Sequence, residues 1–285
     1  MIRVERLRGS NLVEFIYRVL LYVVVAVGGI IFAIPFYWMV RTAIMPPWQI
    51  YIFPPQWIPA EIRLDSFREP FKVFPFALWF RNSALIAVIN VIGAALSSSL
   101  VAFSFARLRT PFRDTIFVIV LSTMILPEHV RLVPTYLLFV KLGWVDTFYP
   151  LTVPNWFAPA FFVFLLRQFF MTIPKELDDA AFIDGCSPLG LYWRIHLPLS
   201  MPALGVVAIF MFTGSWNEFL QALIYLNKVK NFTVALGLRL FQGQLSTNMR
   251  ALMAASILAV LPTVFIFFVA QRYFVQGIVI SGVKG

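Results

Sequence analysis

The segment 174-PKELDDAAFIDGCSPLGLYWRIHLPLSMP-202 separates two strongly apolar runs, and the organisation of the chain follows from how it is read. Pro174 can open a helix because its missing N–H would have no partner in the first turn. Glu176, Asp178 and Asp179 then lie where the helix dipole favours negative charge. This predicts a helix to about Asp184, ended by Gly185 in the left-handed conformation. Ser187-Pro188 reads as an N-cap followed by proline at the first position of a second helix, roughly Leu189 to His196, closed by Pro198 and Pro202. Leu189, Tyr192, Trp193 and His196 recur at spacings of three and four and predict one bulky amphipathic face. Eight residues cannot cross a bilayer, which needs about twenty. The segment therefore projects from a membrane face, either as an interfacial loop that ties two spans together or as a knob presented to a partner.

Composition supports the membrane setting. Of 285 residues 60% are hydrophobic and 13% charged, and the mean hydropathy is +0.84, against roughly half apolar and a quarter charged in soluble domains. The net charge of +10 is spread between apolar runs rather than gathered on one face, which excludes a nucleic-acid partner. The single cysteine, Cys186, excludes an internal disulfide framework and lies beside the glycine turn, where a small residue packs.

Six apolar runs can be placed along the chain. Arg3, Arg6, Arg8 and Arg18 precede the uncharged run Val19 to Val40, which is too long for a signal-peptide core and reads as a retained span with its basic end in the cytosol. The segment Thr42 to Phe80, rich in proline and tryptophan, reads as irregular and extracytoplasmic, with a short surface helix from Asp65 to Phe74. The second span, Asn82 to Ala106, carries Gly93, Ala94, Ala95, Ser97, Ser98 and Ser99, small residues that let membrane helices approach closely. Arg107, Arg109 and Arg113 mark its return to the cytosol. The third, Thr115 to Val140, is interrupted by Pro127-Glu128-His129, Arg131 and Pro134; charges there must face protein, a wet cavity or the interface, and both a kinked helix and a solute contact fit. The fourth runs from about Phe148 to Leu166 with a loose start at Pro150, Pro154 and Pro159. The fifth, about Ala203 to Leu226, holds Asn217 and Glu218, and the sixth, Ala251 to Gln271, has Pro262 as a bend.

The fold class is thus all-α: a polytopic plasma or inner membrane protein with six transmembrane helices, a basic N-terminus (1–18), one membrane domain (19–272, containing the loop 172–202) and a short tail (273–285). Six spans put both termini on one side. The arginines before the first span and after the second place that side in the cytosol, although Lys228, Lys230, Arg239 and Arg250 run against the rule.

Asp179-Ala180-Ala181, Gly185, Ile195 and Leu197-Pro198 follow the order acid-Ala-Ala, three residues, Gly, nine residues, Ile, one residue, Leu-Pro. This resembles the EAA loop of ATP-binding-cassette importer permeases, with Asp179 where the family usually has Glu. Phe164 to Phe170, Trp216-Asn217-Glu218-Phe219 and the ending Gln271-Arg272 through Gly282 to Gly285 extend the likeness. Together they resemble the second, shorter permease subunit of the maltose-type carbohydrate importers, over roughly Val13 to Gly285. The resemblance implies the type I ABC importer permease fold and four kinds of partner: a second homologous permease, two cytoplasmic ATPase subunits that bind ATP and Mg, an extracytoplasmic solute-binding protein, and membrane lipid. It also implies that Asp179, Ala180, Ala181 and Gly185 form the core of the ATPase-docking surface, with Leu189 and the acids Glu176, Asp178 and Asp184 beside it.

Catalytic chemistry of the chain's own is not legible. No lysine follows a glycine, so the phosphate-binding Gly-x-x-x-x-Gly-Lys-Ser/Thr loop is missing. His129 and His196 stand far apart without metal-ligand spacing, and no cofactor or metal is expected on this polypeptide. Glu218, an ionisable residue within a span, is a functional candidate. Trp216 and Phe219 could stack on a sugar ring while Asn217 and Glu218 hydrogen-bond its hydroxyls, or Asn217 and Glu218 could hold the span to the partner permease. The same machine with another cargo (a polyamine, phosphate ester or amino acid), an ion-coupled secondary carrier and a membrane scaffold are the competing readings. Repeat symmetry and paired broken helices, which a secondary carrier calls for, are not found in the sequence.

Overall fold

The computed structural model describes residues 11–242 and 248–282, and these are mostly helical with no strand among them. The arginines Arg3, Arg6 and Arg8, which carry the orientation argument, and the ending Val283-Lys284-Gly285 lie outside the described residues. Residues 11–70 with 248–257 form one compact unit, and 71–242 with 258–282 form another.

In the first unit α1 (Asn11–Ile44) contains the expected first span, and Pro35 lies inside it without ending it. No side chain in its most apolar window is buried. The proline- and tryptophan-rich stretch after it is irregular, as its composition predicts, but it is fixed to the end of α1. The Arg63 N–H donates to the Ile44 carbonyl at 2.8 Å and the Ser66 hydroxyl to the Ala43 carbonyl at 2.6 Å. The expected surface helix resolves into a 3-10 turn, Asp65–Phe67, and α2 (Glu69–Val73).

The second unit is built on α3 (Phe76–Arg107), which packs against two other long helices defined below. Its small residues lie on the packed side: Ala94, Ser98, Ser99 and Ala102 are fully buried, and the Ser97 hydroxyl accepts the Ala158 N–H at 3.1 Å. The third apolar run is more sharply broken than a kink. After α4 (Arg113–Ser122) a 3-10 turn and Pro127 lead into α5 (Glu128–Lys141), and the two arms meet at 98°. The fourth run begins loosely, as its prolines require, with α6 (Tyr149–Thr152) and a 3-10 turn before α7 (Ala160–Thr172). The loop supplies α8 (Glu176–Ile183), α9 (Pro188–Leu191) and α10 (Leu197–Leu199), and then α11 (Met201–Asn217), which with α7 flanks α3.

Three boundaries differ from the sequence reading. The fifth span is not continuous: α11 stops at Asn217, and the chain restarts as α12 (Leu220–Tyr225). The segment after it is a folded cap, with α13 (Val234–Gly237) seated at the start of α3, where Ser83 Oγ accepts the Val234 N–H at 2.8 Å. Finally, α14 (Met249–Gly282) continues past Gln271, so the tail from 273 is helical through Gly282. Among the described residues four stretches are long and apolar enough to cross a membrane, and six if each sharply bent pair counts as one span.

Candidate functional site

The loop of residues 174–202 has the local structure its residue types demand. Gly185, at φ +78°, ends α8 in a Schellman arrangement: its N–H donates to Phe182 O at 3.0 Å, and the Cys186 N–H reaches Ala181 O at 2.9 Å. Ser187 caps the next helix, its hydroxyl oxygen accepting the Gly190 N–H at 3.1 Å, and Pro188 takes the first helical position.

The second arm departs from expectation. Pro198 and Pro202 do not close it: helix continues to Leu199, and Pro202 stands in the first turn of α11. In a regular helix the Pro198 ring would press on the carbonyl four residues back. The π turn Tyr192–His196, with the Leu197 N–H reaching Tyr192 O, widens the helix just before that proline. The bulky face also divides. Leu191, Tyr192 and His196 are buried, while Leu189 and Trp193 point outward.

Burial sorts the expected docking residues. Glu176, Asp179, Ala180, Asp184, Gly185 and Leu189 are exposed, in company with Phe182 and Ile183. Ala181 packs inward. Asp178 also turns inward, which corrects its grouping with the acids free to meet a partner. Its Oδ2 lies 3.2 Å from Arg107 Nη1, and its Oδ1 lies 2.7 Å from His196 Nε2. Asp178 and Ala181 are three residues apart on α8 and so share the packed face.

Arg107 is the anchor of this arrangement. From the end of α3 it donates to the carbonyls of Phe170, at 2.5 Å, in the last turn of α7, and of Ile173, the residue that caps it, where the helix dipole welcomes a cation. One guanidinium thus joins α3, α7 and α8. His196 sits between the rings of Phe103 and Phe170, and the Tyr192 and Ser99 hydroxyls meet at 2.7 Å, tying the second arm to α3 as well. Burial lowers the His196 pKa, opposed by the hydrogen bond and charge of Asp178. The imidazole is therefore neutral at pH 7, and its Nε2–H donates to the carboxylate. Sequence reading set both histidines aside for want of metal or catalytic spacing and missed this structural role; an acid on the inward face of an amphipathic helix was the available signal. A second arginine, Arg167 of α7, lies over the Phe117 ring and 3.6 Å from Asp114, joining α7 to α4.

The expected solute contacts are not brought together. Trp216 is 3% exposed, its indole N–H donates to the Ala259 carbonyl at 2.9 Å, and it stacks on Phe212. It is a packing residue, unavailable to a sugar ring, because its face of α11 lies against α14. Asn217 donates back to Thr213 O at 3.0 Å, and Phe219 is 40% exposed. Glu218 stands at the break, where its Oε1 accepts the Gln221 N–H at 2.8 Å and so caps α12. With the polar residues Asn90, Asn155, Ser215 and Gln221 it lines a cavity of about 120 Å³. Asn155 and Gln221 also line a larger cavity of about 780 Å³ that contains Arg131, a residue sequence reading left between a kink and a solute contact.

Residues 94–280 match the family described as the binding-protein-dependent transport system inner membrane component. The chain is 36% identical to the arabinooligosaccharides transport system permease protein AraQ of Halalkalibacterium halodurans, over 80% of this chain and 81% of that protein. It is 33% identical to the sn-glycerol-3-phosphate transport system permease protein UgpE of Brucella abortus, over 90% of this chain and 94% of that protein. In fold it resembles, at 18% identity and a TM-score of 0.83, a chain of a bacterial ABC transporter involved in the import of the acidic polysaccharide alginate, covering 92% of this chain and 97% of that one. With its six apolar runs and its helix-glycine-helix loop held on α3 and α7, the chain belongs to the family of inner membrane components of binding-protein-dependent transport systems.

Proposed function

We propose that the chain is the permease subunit of an ATP-driven importer for a sugar or oligosaccharide. The similarity to a permease named for arabinooligosaccharide transport supports the cargo class. A phosphate ester is the second reading, favoured by the relative named for sn-glycerol-3-phosphate. The partners are a second homologous permease, two ATPase subunits holding ATP and Mg, and an extracytoplasmic solute-binding protein. The loop and both termini face the cytoplasm.

The observation that carries the reading is the rigid mounting of the loop. Its outward face offers acids and apolar side chains, Glu176, Asp179, Ile183 and Leu189 among them, while Arg107, His196 and Tyr192 lock the inward face to the spans. ATP-driven closure of the ATPase pair displaces α8, and the lock passes that displacement to α3 and α7. A loop without it would absorb the motion. ATP chemistry stays in the partners; this chain supplies the path and the lever.

Two experiments test this. A tagged chain isolated from its native membrane brings down an ATP-hydrolysing subunit, and the reconstituted assembly takes up labelled oligosaccharide only with ATP on the loop side. Separately, a cysteine at Asp184 in a Cys186→Ser background reacts with an impermeant maleimide in inside-out vesicles and not in intact cells. Labelling in intact cells would overturn the mechanism.

A further inference from the structure

The larger cavity places one guanidinium among neutral groups. The cavity, of about 780 Å³, is lined by α3, α4, α5, α6 with the turn after it, α7 and α12, and Arg131 is the one charged residue among the described residues that line it. Thr123, Asn155 and Gln221 add polar groups, and Phe157 and Tyr225 add aromatic faces. The volume is that of a small-molecule site, a mostly apolar concavity with a few polar groups that fix orientation.

The position of the cation follows from the broken third run. On a continuous apolar helix an arginine would meet hydrocarbon, which is costly for a charge. The 98° break at Pro127 turns α5 so that Arg131, in its second turn, lines the cavity and remains exposed there. Arginine keeps its charge in such a setting, and its planar fork matches a carboxylate or a phosphate through two parallel N–H donors. The one acid lining the adjoining small cavity, Glu218, has one oxygen engaged by the Gln221 N–H at 2.8 Å.

We infer that this cavity is the passage of the solute through the subunit, and that Arg131 takes an oxyanion carried by it: a carboxylate or phosphate on a saccharide or polyol. The inference rests on the importer reading and narrows its cargo. Asn155 and Gln221 meet hydroxyl groups, and the exposed Phe157 ring lies against the ring or carbon chain.

The test is uptake by the complete importer with its binding protein, reconstituted in vesicles of phosphatidylcholine alone and of phosphatidylcholine with phosphatidylglycerol. The probes are digalacturonate, glucose 6-phosphate and sn-glycerol 3-phosphate, with maltose and arabinotriose as neutral comparators. An anionic probe is carried, Arg131→Gln lowers its uptake at least tenfold through a raised KM, Arg131→Lys restores part of it, and both lipid mixtures agree. Co-isolation of the ATPase with Arg131→Gln shows that the variant is assembled. Uptake confined to the neutral probes, or an Arg131→Gln rate within twofold on the anionic one, overturns the inference while leaving the importer standing. An effect of Arg131→Gln seen only with phosphatidylglycerol assigns the cation to a lipid headgroup and overturns it equally. Absence of both uptake and a co-isolated ATPase is instead the failure of the importer reading.

Discussion

The Asp178 carboxylate and the His196 imidazole, 18 residues apart on the two arms of one loop, meet at 2.7 Å in the interior, and Arg107 faces the same carboxylate at 3.2 Å. Because the imidazole is neutral, the charge of Asp178 is balanced by Arg107, and His196 contributes one hydrogen bond. Arg107→Met leaves an uncompensated buried carboxylate, at a cost of about 3–5 kcal/mol. His196→Leu removes one hydrogen bond to a charged group, about 1.5–3 kcal/mol. Thermal unfolding of the purified assembly orders the two, with Arg107→Met the less stable; the reverse order would refute the assignment of charge.

The same pair responds to acid. The folded pKa of His196 is depressed by burial, so the unfolded chain takes up the proton more readily. Its stabilising contribution is complete above the ordinary histidine value of about 6.5 and declines as pH falls from there towards the folded pKa. His196→Gln, which cannot titrate, removes that part of the acid sensitivity. An unchanged pH profile between pH 7 and 5 would show that His196 is not the group responsible.

At Gly185 no atom would touch an added Cβ, so the constraint is the backbone at φ +78° rather than space. Gly185→Ala should cost about 1–2 kcal/mol through the left-handed conformation and leave transport measurable. Gly185→Trp adds bulk on the outward face and leaves ATP hydrolysis while uptake falls. Coupled uptake at the wild-type rate by Gly185→Trp in proteoliposomes would argue strongly against docking at this turn.

At the opposite end of the helices, Asp146 clamps two connections. Its Oδ1 accepts the N–H groups of Asn227, at 3.0 Å, and Lys228, at 2.9 Å, and its Oδ2 lies 2.9 Å from the Lys228 ammonium. Desolvation pushes its pKa up, but these donors outweigh it and hold the carboxyl well below the usual range. The clamp is therefore complete above the ordinary carboxylate pKa of about 4 and fails only below it. Asp146→Ala loosens residues 227–231, read as faster amide hydrogen exchange there at pH 7. Asp146→Asn, which tolerates the positive φ of 64°, does so less.

Glu218 acts as an acceptor at the break in the fifth run. Glu218→Gln retains a carbonyl oxygen for the Gln221 N–H and preserves α12; Glu218→Ala loses the cap, about 1 kcal/mol. Uptake and assembly should survive the first and decline with the second. Equal loss in both would show that the negative charge, rather than the cap, is what the site uses.

The apolar runs, the glycine turn and the Ser187-Pro188 helix start were legible from the sequence because each depends on residues within a few positions of itself. Hydropathy is summed locally, and a cap or a positive φ is a property of a single turn. Trp216 and Asp178 were misread for the opposite reason: an aromatic beside polar residues and an acid in a helix's first turn carry no local mark of facing inward. Their partners are Ala259, 43 residues on, and Arg107 on another helix.

The residue pattern alone determined a multi-span helical membrane protein with a rigid two-armed loop. Only the tertiary structure decided that Arg107, Asp178 and His196 lock that loop to the spans, that Pro198 lies inside a helix relieved by a π turn, and that Arg131 enters a cavity. Those outcomes depend on which helix faces are covered by distant parts of the chain, and a buried charge reveals its partner only once the helices are packed.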